Sequence, residues 1–221
     1  MKFLTMNDRD SFFWISLIFL CIIHPCSLRF PFFLHQNMKN KKLLTIDLDW
    51  IQHPRQFTDI LPICVKIFKK QTPTIFIKSH QEIYDHIEPE SIVINIDHHH
   101  DFGYDQVSVK EALENIPREG NWVLASAIHK KIKGYIWVKN YDSKINASEI
   151  TDWIRNLDFF KIKNDIKDCD FENIYKLVVC ESVEYEKNVS FYSQVLREVC
   201  KNINTNTQIV DNKNPFKRIN T

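Results

Sequence analysis

Short apolar runs alternate along the chain with longer amphipathic stretches. The clearest run is Ser91–Asp97 (SIVINID), in which β-branched residues surround one polar position, Asn95. Such a run is typical of a strand buried in a parallel sheet. Similar runs predict further strands over residues 43–50, 72–80, 134–138 and 175–180.

Amphipathic stretches separate these strands and predict helices. Pro54 and Pro62 favour a short helix or a loop, followed by one or two helical turns over residues 63–70. Strands that alternate with helices indicate an α/β fold: a single domain with a mostly parallel β-sheet flanked by helices. Further helices are predicted over residues 81–87, 106–118, 121–131, 150–160 and 191–199.

The two ends of the chain differ from the predicted domain over residues 38–200. Residues 1–37 contain an apolar run, Ser11–Ile23, that is short for a bilayer span and lacks the net positive start and the cleavage site of a signal peptide. Three interpretations stay open: an extension upstream of a true start at Met38, a membrane or export segment, and a core helix. Residues 201–221 are polar and rich in asparagine, which predicts a loose tail.

Composition narrows the classes of function. The formal net charge is +1, so nothing electrostatic predicts a nucleic-acid partner. The chain has only 3 glycines, which excludes the glycine-rich phosphate loops of nucleotide-binding proteins. Its 6 cysteines form no C-x-x-C pair and predict reduced thiols in a cytoplasmic protein. Membrane attachment is expected only if residues 11–23 are a genuine segment.

Carboxylates and imidazoles follow the strand that begins at Ser91. The spacing is D-x-H-x-D, and alternation along an extended chain would turn Asp97, His99 and Asp101 to one side. Carboxylate oxygen with imidazole nitrogen suits a divalent ion such as manganese, iron or zinc. A histidine run can equally be a solvated loop, so this spacing alone leaves both interpretations open.

The other predicted strands also end in charged or imidazole side chains. In a parallel sheet the carboxyl ends of strands share one edge, where ligands bind. Four aspartates and two histidines would meet there, more than the four ligands of one tetrahedral zinc, and they suit two ions that share carboxylates. Such a pair lowers the pKa of a shared water and supports hydrolysis of a C–N bond. The predicted metal ligands are Asp47, Asp49, His80, Asp97, His99 and Asp101, and Glu181 ends a further strand.

These motifs together resemble the arginase–deacetylase superfamily. The fit is closest to the small arginase-like family that includes bacterial peptide arginases. The similar features are Ile46–Trp50 (IDLDW), Ser79–Glu82 (SHQE) and the later D-x-H-x-D strand. The resemblance covers about residues 42–140 and, more weakly, residues 175–185.

The resemblance implies an arginase-like three-layer α/β/α fold that binds two Mn²⁺ ions, with zinc or iron as alternatives. One ion would bind His80 and Asp101 and the other would bind His99 and Asp49, while Asp47 and Asp97 would bridge both. Glu181 would bind the guanidinium of the substrate, because a carboxylate can orient that group. A salt-bridged strand end is the alternative for Glu181.

One departure from the arginases concerns the substrate. Their S-G-N-L-H-G loop grips the carboxylate of free arginine and supplies a histidine, whereas this chain has Glu119–Trp122 (EGNW) with no histidine. His129 is the nearest downstream candidate for a proton shuttle, so Glu181, Asp101 and His129 are the predicted catalytic residues. The resemblance therefore favours an arginine side chain within a peptide, giving peptidyl ornithine and urea. A single-zinc amide deacylase and a non-catalytic metal-binding protein are the alternatives.

Overall fold

A single sheet of seven parallel strands organises the described part of the chain. The computed structural model describes residues 40–141, 143, 158–182 and 189–210. The strand order is β5-β4-β3-β1-β6-β2-β7, which places β1 in the middle. The strands are β1 Lys42–Asp47, β2 Thr74–Ile77, β3 Ser91–Asp97, β4 Ile132–Lys139, β5 Phe160–Lys163, β6 Ile174–Cys180 and β7 Thr207–Ile209.

Helices cover both faces of this sheet and give a three-layer α/β fold. On one face, α1 and α5 bury apolar side chains against alternate strand residues such as Ile46 and Val179. On the other face, α2, α3 and α4 pack against the intervening residues, such as Val93 and Val178. The α/β fold class predicted from the sequence is confirmed. The helices are α1 Pro54–Lys69, α2 Ile83–His86, α3 Gln106–Leu113, α4 Trp122–Ile128 and α5 Val189–Ile203.

Helix α1 runs unbroken through Pro62, where the sequence predicted a break. Pro54 begins the helix, where its missing N–H and fixed φ are harmless. At Pro62 one helical hydrogen bond is lost, but Pro62 and Thr58, four residues before it, are both exposed, so water can bond the freed carbonyl. Apolar residues at helical spacing, including Ile60 and Cys64, are buried against the sheet and hold the helix together.

At the two edges of the sheet, the short strands β5 and β7 differ from the predictions made from the sequence. The helix predicted over residues 150–160 falls mostly outside the described residues, and its last residue begins strand β5. The predicted loose tail is ordered at first, because α5 continues to Ile203 and β7 pairs in parallel with β2. Residues 1–39 and 211–221 lie outside the described residues, so the predictions for both ends stay predictions. No helix in the described ranges is long and apolar enough to cross a membrane.

Candidate metal centre

Tight turns at the carboxyl edge of the sheet place the first predicted ligands. Strand β1 ends at Asp47, and a 3-10 turn over Leu48–Trp50 follows. Asp47 Oδ1 accepts the backbone N–H of Asp49 at 3.1 Å, so both carboxylates stay at the edge. The sequence predicted a strand through residue 50, which is wrong because β1 stops at Asp47. His80 likewise begins a 3-10 turn after β2.

The D-x-H-x-D segment does not continue from β3 as the extended chain on which its predicted alternation depended. Strand β3 ends at Asp97, and the Asp97 carboxylate accepts the backbone N–H of His99 at 2.8 Å. Asp101 has a φ of 52°, a left-handed conformation that aspartate tolerates better than most residues. This turn, and not strand alternation, brings the three side chains of the motif together. His100 is buried, with its ring 4.5 Å from that of Tyr104.

His80, Asp97 and Asp101 form the first group of possible ligands. His80 Nδ1 lies 3.1 Å from Asp101 Oδ2 and 3.7 Å from Asp97 Oδ2. One ligand atom from each residue lies within 4.8 Å of the other two, and all three residues are buried. Three donors this close and shielded from water are suited to one divalent ion.

Asp49, Asp97 and His99 form a second group that shares Asp97 with the first. His99 Nδ1 lies 3.3 Å from Asp49 Oδ2 and 3.9 Å from Asp97 Oδ1. The side chain of His99 is 43% exposed, so this group opens to solvent. Asp49 Oδ1 is buried and has no hydrogen-bond partner among the described residues. A buried carboxylate oxygen without a donor is costly, and a bound cation would remove that cost.

Asp47, His80 and Cys180 form a third group, again within 4.8 Å of one another and fully buried. Asp47 Oδ2 contacts His80 Nε2, the nitrogen that the first group does not use. The thiol of Cys180 lies 3.3 Å from the hydroxyl of Ser182. Burial raises the pKa of the Cys180 thiol to about 11, so the thiol is protonated at neutral pH when no cation is present.

The buried carboxylates are held by neutral donors from the surrounding elements. These donors fix the orientation of each carboxylate, as the second layer around a metal site does. Asn95 shares the face of β3 with Asp97, since the two are separated by one residue. The hydrogen bonds are Trp122 Nε1 to Asp101 Oδ2 at 2.7 Å, Asn95 Nδ2 to Asp97 Oδ2 at 3.0 Å, and Ser182 Oγ to Asp47 Oδ2 at 2.9 Å.

Crowding of these charges shifts their pKa values. Burial and then the Asp101 carboxylate raise the pKa of Asp97 well above its usual range, and burial also raises the pKa of Asp47. Burial alone would lower the pKa of His80, but Asp47 and the other nearby groups raise it well above its usual value. Without a cation the cluster therefore retains protons, which a divalent ion would displace.

The side chain of Glu181 contacts α5 and belongs to none of these three groups. Its carboxylate accepts hydrogen bonds from the guanidinium of Arg197, with the shorter at 2.5 Å and the second at 2.8 Å. Ser193 also donates to the same oxygen. Cys180, the last residue of β6, packs on the opposite face of the sheet, so these two consecutive residues serve different layers. The guanidinium that Glu181 binds here is one from its own chain.

The structure does not bring His129 to the cluster. His129 follows the last residue of α4, and its Nε2 lies 3.0 Å from the carbonyl oxygen of Ala112. Trp122, whose indole reaches Asp101, begins the same helix. Seven residues of helix separate the two by about 10 Å along the axis. His129 therefore lies toward the far end of α4 from the candidate ligands.

Six of the predicted site residues thus meet at one edge, while Glu181 and His129 do not join them. The residues that the sequence did not single out are Cys180, Asn95, Trp122 and Ser182. Asn95 carried a signal, as the one polar residue in an apolar strand, whereas the others become visible only when the strand order is known. Comparisons of this chain with protein-family models, with curated proteins and with solved structures gave no match. The family resemblance drawn from the motifs therefore stays a hypothesis.

Proposed function

We propose that this chain is a hydrolase with a two-ion manganese centre that cleaves the guanidinium C–N bond of arginine side chains in a peptide, giving ornithine and urea. The observation that carries the proposal is Asp97, which belongs to two ligand groups at once. A carboxylate with one oxygen toward each group is the arrangement by which proteins hold a pair of ions. Here Asp97 Oδ2 faces His80 and Asp97 Oδ1 faces His99.

The donor set fits divalent ions on chemical grounds. Aspartate oxygens dominate both groups and one imidazole joins each, which suits manganese, iron or zinc. Asp49 Oδ1, buried without a hydrogen bond from any described residue, provides a further position for a cation. When bound, two such ions would polarise the substrate and supply hydroxide near neutral pH.

The protein's own residues set how a substrate could approach. His99 is the most exposed of the six candidate ligands, so the substrate would enter from the side of His99. Asp101 and Asp47 are buried behind it, where they exclude water and hold the imidazole of His80 between them. A long, thin side chain such as arginine could extend into such a site while the peptide backbone stays outside.

Residues 119–122 stand where arginases have the loop that binds the carboxylate of free arginine, and their contacts support a peptide substrate. Asn121 is buried, accepts the N–H of Arg118 at 2.6 Å and donates to the carbonyl of Ser108 at 2.8 Å. Glu119 accepts a hydrogen bond from Ser79 at 2.8 Å. These polar groups are used within the protein, so they offer little to the carboxylate of a free amino acid.

Purified protein loaded with manganese should release urea from arginine-containing peptides faster than from free arginine. The matched control is Asp97→Asn, which removes the shared carboxylate at nearly unchanged volume and should release no urea. Urea from free arginine alone would contradict the peptide preference. Stoichiometric metal binding without urea from any substrate would contradict the guanidine chemistry.

A single-zinc amide deacylase is the second candidate, and the pairing of Glu181 with Arg197 favours it. That pair occupies Oε1 of the carboxylate expected to recognise a guanidinium, whereas an amide substrate would not need this carboxylate. Metal content separates the candidates: two ions per chain support the first, while one ion with release of acyl groups from acyl-lysine peptides supports the second.

A further inference from the structure

Strand order brings a thiol between two of the candidate ligands. Strand β6 lies between β1 and β2, the strands that lead to Asp47 and His80. In the parallel register Cys180 is opposite Asp47 on one side and opposite Ile77 on the other. Residues in register on neighbouring strands place their side chains on the same face, about 5 Å apart. Cys180 is therefore placed beside the Asp47 carboxylate by the sheet itself.

The contacts of His80 indicate a ligand position at this point. His80 Nε2 is buried, and it lies against Asp47 Oδ2 without the alignment of a hydrogen bond. It is within ion-pair distance of Asp47, but no described residue meets hydrogen-bond geometry with it. Ligand atoms that crowd together without bonding to each other are the pattern expected when they converge on an ion. The side chains of His80 and Asp47 are only 7% and 1% exposed, so bulk water does not supply the missing hydrogen bond to Nε2.

The other nitrogen of His80 fixes which atom can bind. Nδ1 lies 3.1 Å from Asp101 Oδ2, close enough for the carboxylate to accept its proton. A neutral imidazole that carries a proton on Nδ1 has its lone pair on Nε2, which faces Asp47 and Cys180. A carboxylate that holds the second nitrogen of a metal-binding histidine is a frequent arrangement in metal sites.

We infer that Cys180 is a metal ligand that completes, with Asp47 and His80, a cation position of mixed sulfur, oxygen and nitrogen donors. This inference rests on the proposed function, because it needs the same metal centre, but it places the His80 ion on Nε2 instead of among Nδ1, Asp97 and Asp101. A sulfur donor makes that half favour zinc or ferrous iron over manganese. Asp101 is then a positioning residue, which holds the imidazole with Nε2 toward the ion.

Cobalt titration under anaerobic conditions tests this ligand directly. Co²⁺ bound by any donors gives visible d–d bands, while a thiolate ligand adds a sulfur-to-cobalt charge-transfer band in the near ultraviolet. We expect both in the wild type and in Cys200→Ser, a control that alters another buried thiol, 3.1 Å from the Thr207 hydroxyl. In Cys180→Ser the near-ultraviolet band should disappear while the visible bands remain.

The outcomes separate this inference from the proposed function. Visible bands without a near-ultraviolet band in the wild type, or a band that survives in Cys180→Ser, would overturn the sulfur ligand and leave the metal centre intact. No visible bands at all would overturn both. If Cys180→Ser does not fold, X-ray absorption of the zinc-loaded wild type decides. One sulfur at about 2.3 Å supports the inference, and only lighter donors at about 2.0–2.2 Å contradict it.

Discussion

The indole Nε1 of Trp122 donates a hydrogen bond to Oδ2 of Asp101 at 2.7 Å, and both side chains are buried. The next residue, Val123, donates its backbone N–H to the carbonyl of Asp101 at 3.2 Å. The start of α4 therefore holds Asp101 by both its side chain and its backbone. This double contact maintains the left-handed backbone of Asp101 and directs its carboxylate toward His80.

Trp122→Phe should weaken metal binding about 10- to 100-fold, because loss of an orienting hydrogen bond has that effect in metal sites. It should also cost about 1–3 kcal/mol in the free energy of unfolding, since a buried carboxylate oxygen loses its donor. Competition with a chelator measures the first and denaturant unfolding the second. Trp137→Phe is the control, because Trp137 bonds the backbone carbonyl of Asp97 and not a carboxylate. Equal metal affinity in both variants would contradict this role of Trp122.

Asp97→Asn should abolish binding of a second ion and weaken the first, because Asp97 is shared by two ligand groups. Metal content after dialysis and isothermal titration would measure both effects. The control is Asp170→Asn, which removes an exposed carboxylate paired with Lys42 and should leave stoichiometry unchanged. Unchanged metal content in Asp97→Asn would refute the assignment of a shared ligand.

The cation-free protein should lose stability as the pH rises from about 4 to 8. Burial raises the folded-state pKa of Asp97 and of Asp47 above 3.8, and carboxylates raise that of His80 above 6.5 despite its burial. All three groups thus bind more protons in the folded than in the unfolded chain, so deprotonation favours unfolding. The lowered pKa of Asp101 opposes this trend below about pH 5, and the pKa of His86, which burial lowers, opposes it near neutral pH, so the three raised groups outweigh them chiefly above about pH 5.

Bound metal should reverse this dependence, because the ligands must be deprotonated to bind. Thermal melting with and without zinc or manganese at several pH values measures both effects, and the metal-induced rise in melting temperature should be larger at pH 8 than at pH 6. The melting curve of cation-free Asp97→Asn should depend less on pH than that of the wild type. A metal effect that is independent of pH would contradict the displacement of protons from the cluster.

Glu181→Gln should destabilise the fold while leaving metal binding intact. The substitution leaves Arg197 without its charged partner, and breaking a buried ion pair in this way costs about 3 kcal/mol. Chemical denaturation measures the loss, and metal titration provides the comparison. Arg197→Lys is the matched variant, since it keeps the charge but not the geometry of the guanidinium. A loss of substrate turnover in Glu181→Gln at unchanged stability would instead favour the predicted role in substrate binding.

Much of the fold could be predicted from the sequence because its central strands are strongly patterned. The apolar run before Asp97 is a strand with the bounds that its composition indicates. Strands β4 and β6 likewise include the residues predicted for them. Strands β5 and β7 were missed because they are short and partly polar, so only pairing with a neighbour defines them. Helix α1 was predicted as broken because the effect of Pro62 depends on which side of the helix faces water.

The site was predictable at the level of strand ends but not of individual contacts. That Asp47, His80 and Asp97 meet follows from a parallel sheet, whose carboxyl ends share an edge. The two 3-10 turns and the positive φ of Asp101 depend on local hydrogen bonds that a residue pattern does not reveal. Cys180 could not be singled out, because its position depends on β6 lying between β1 and β2.

The position of β6 between β1 and β2 has a consequence for folding during synthesis. Cys180 is made long after His80, yet β6 must fill the gap between β1 and β2 before Asp47 and His80 can approach each other. A nascent chain that ends near residue 140 has produced every carboxylate and imidazole of the centre but lacks the strand that draws them together. Capture of the proposed ions would therefore be a late event, which follows completion of the sheet and does not guide its early folding.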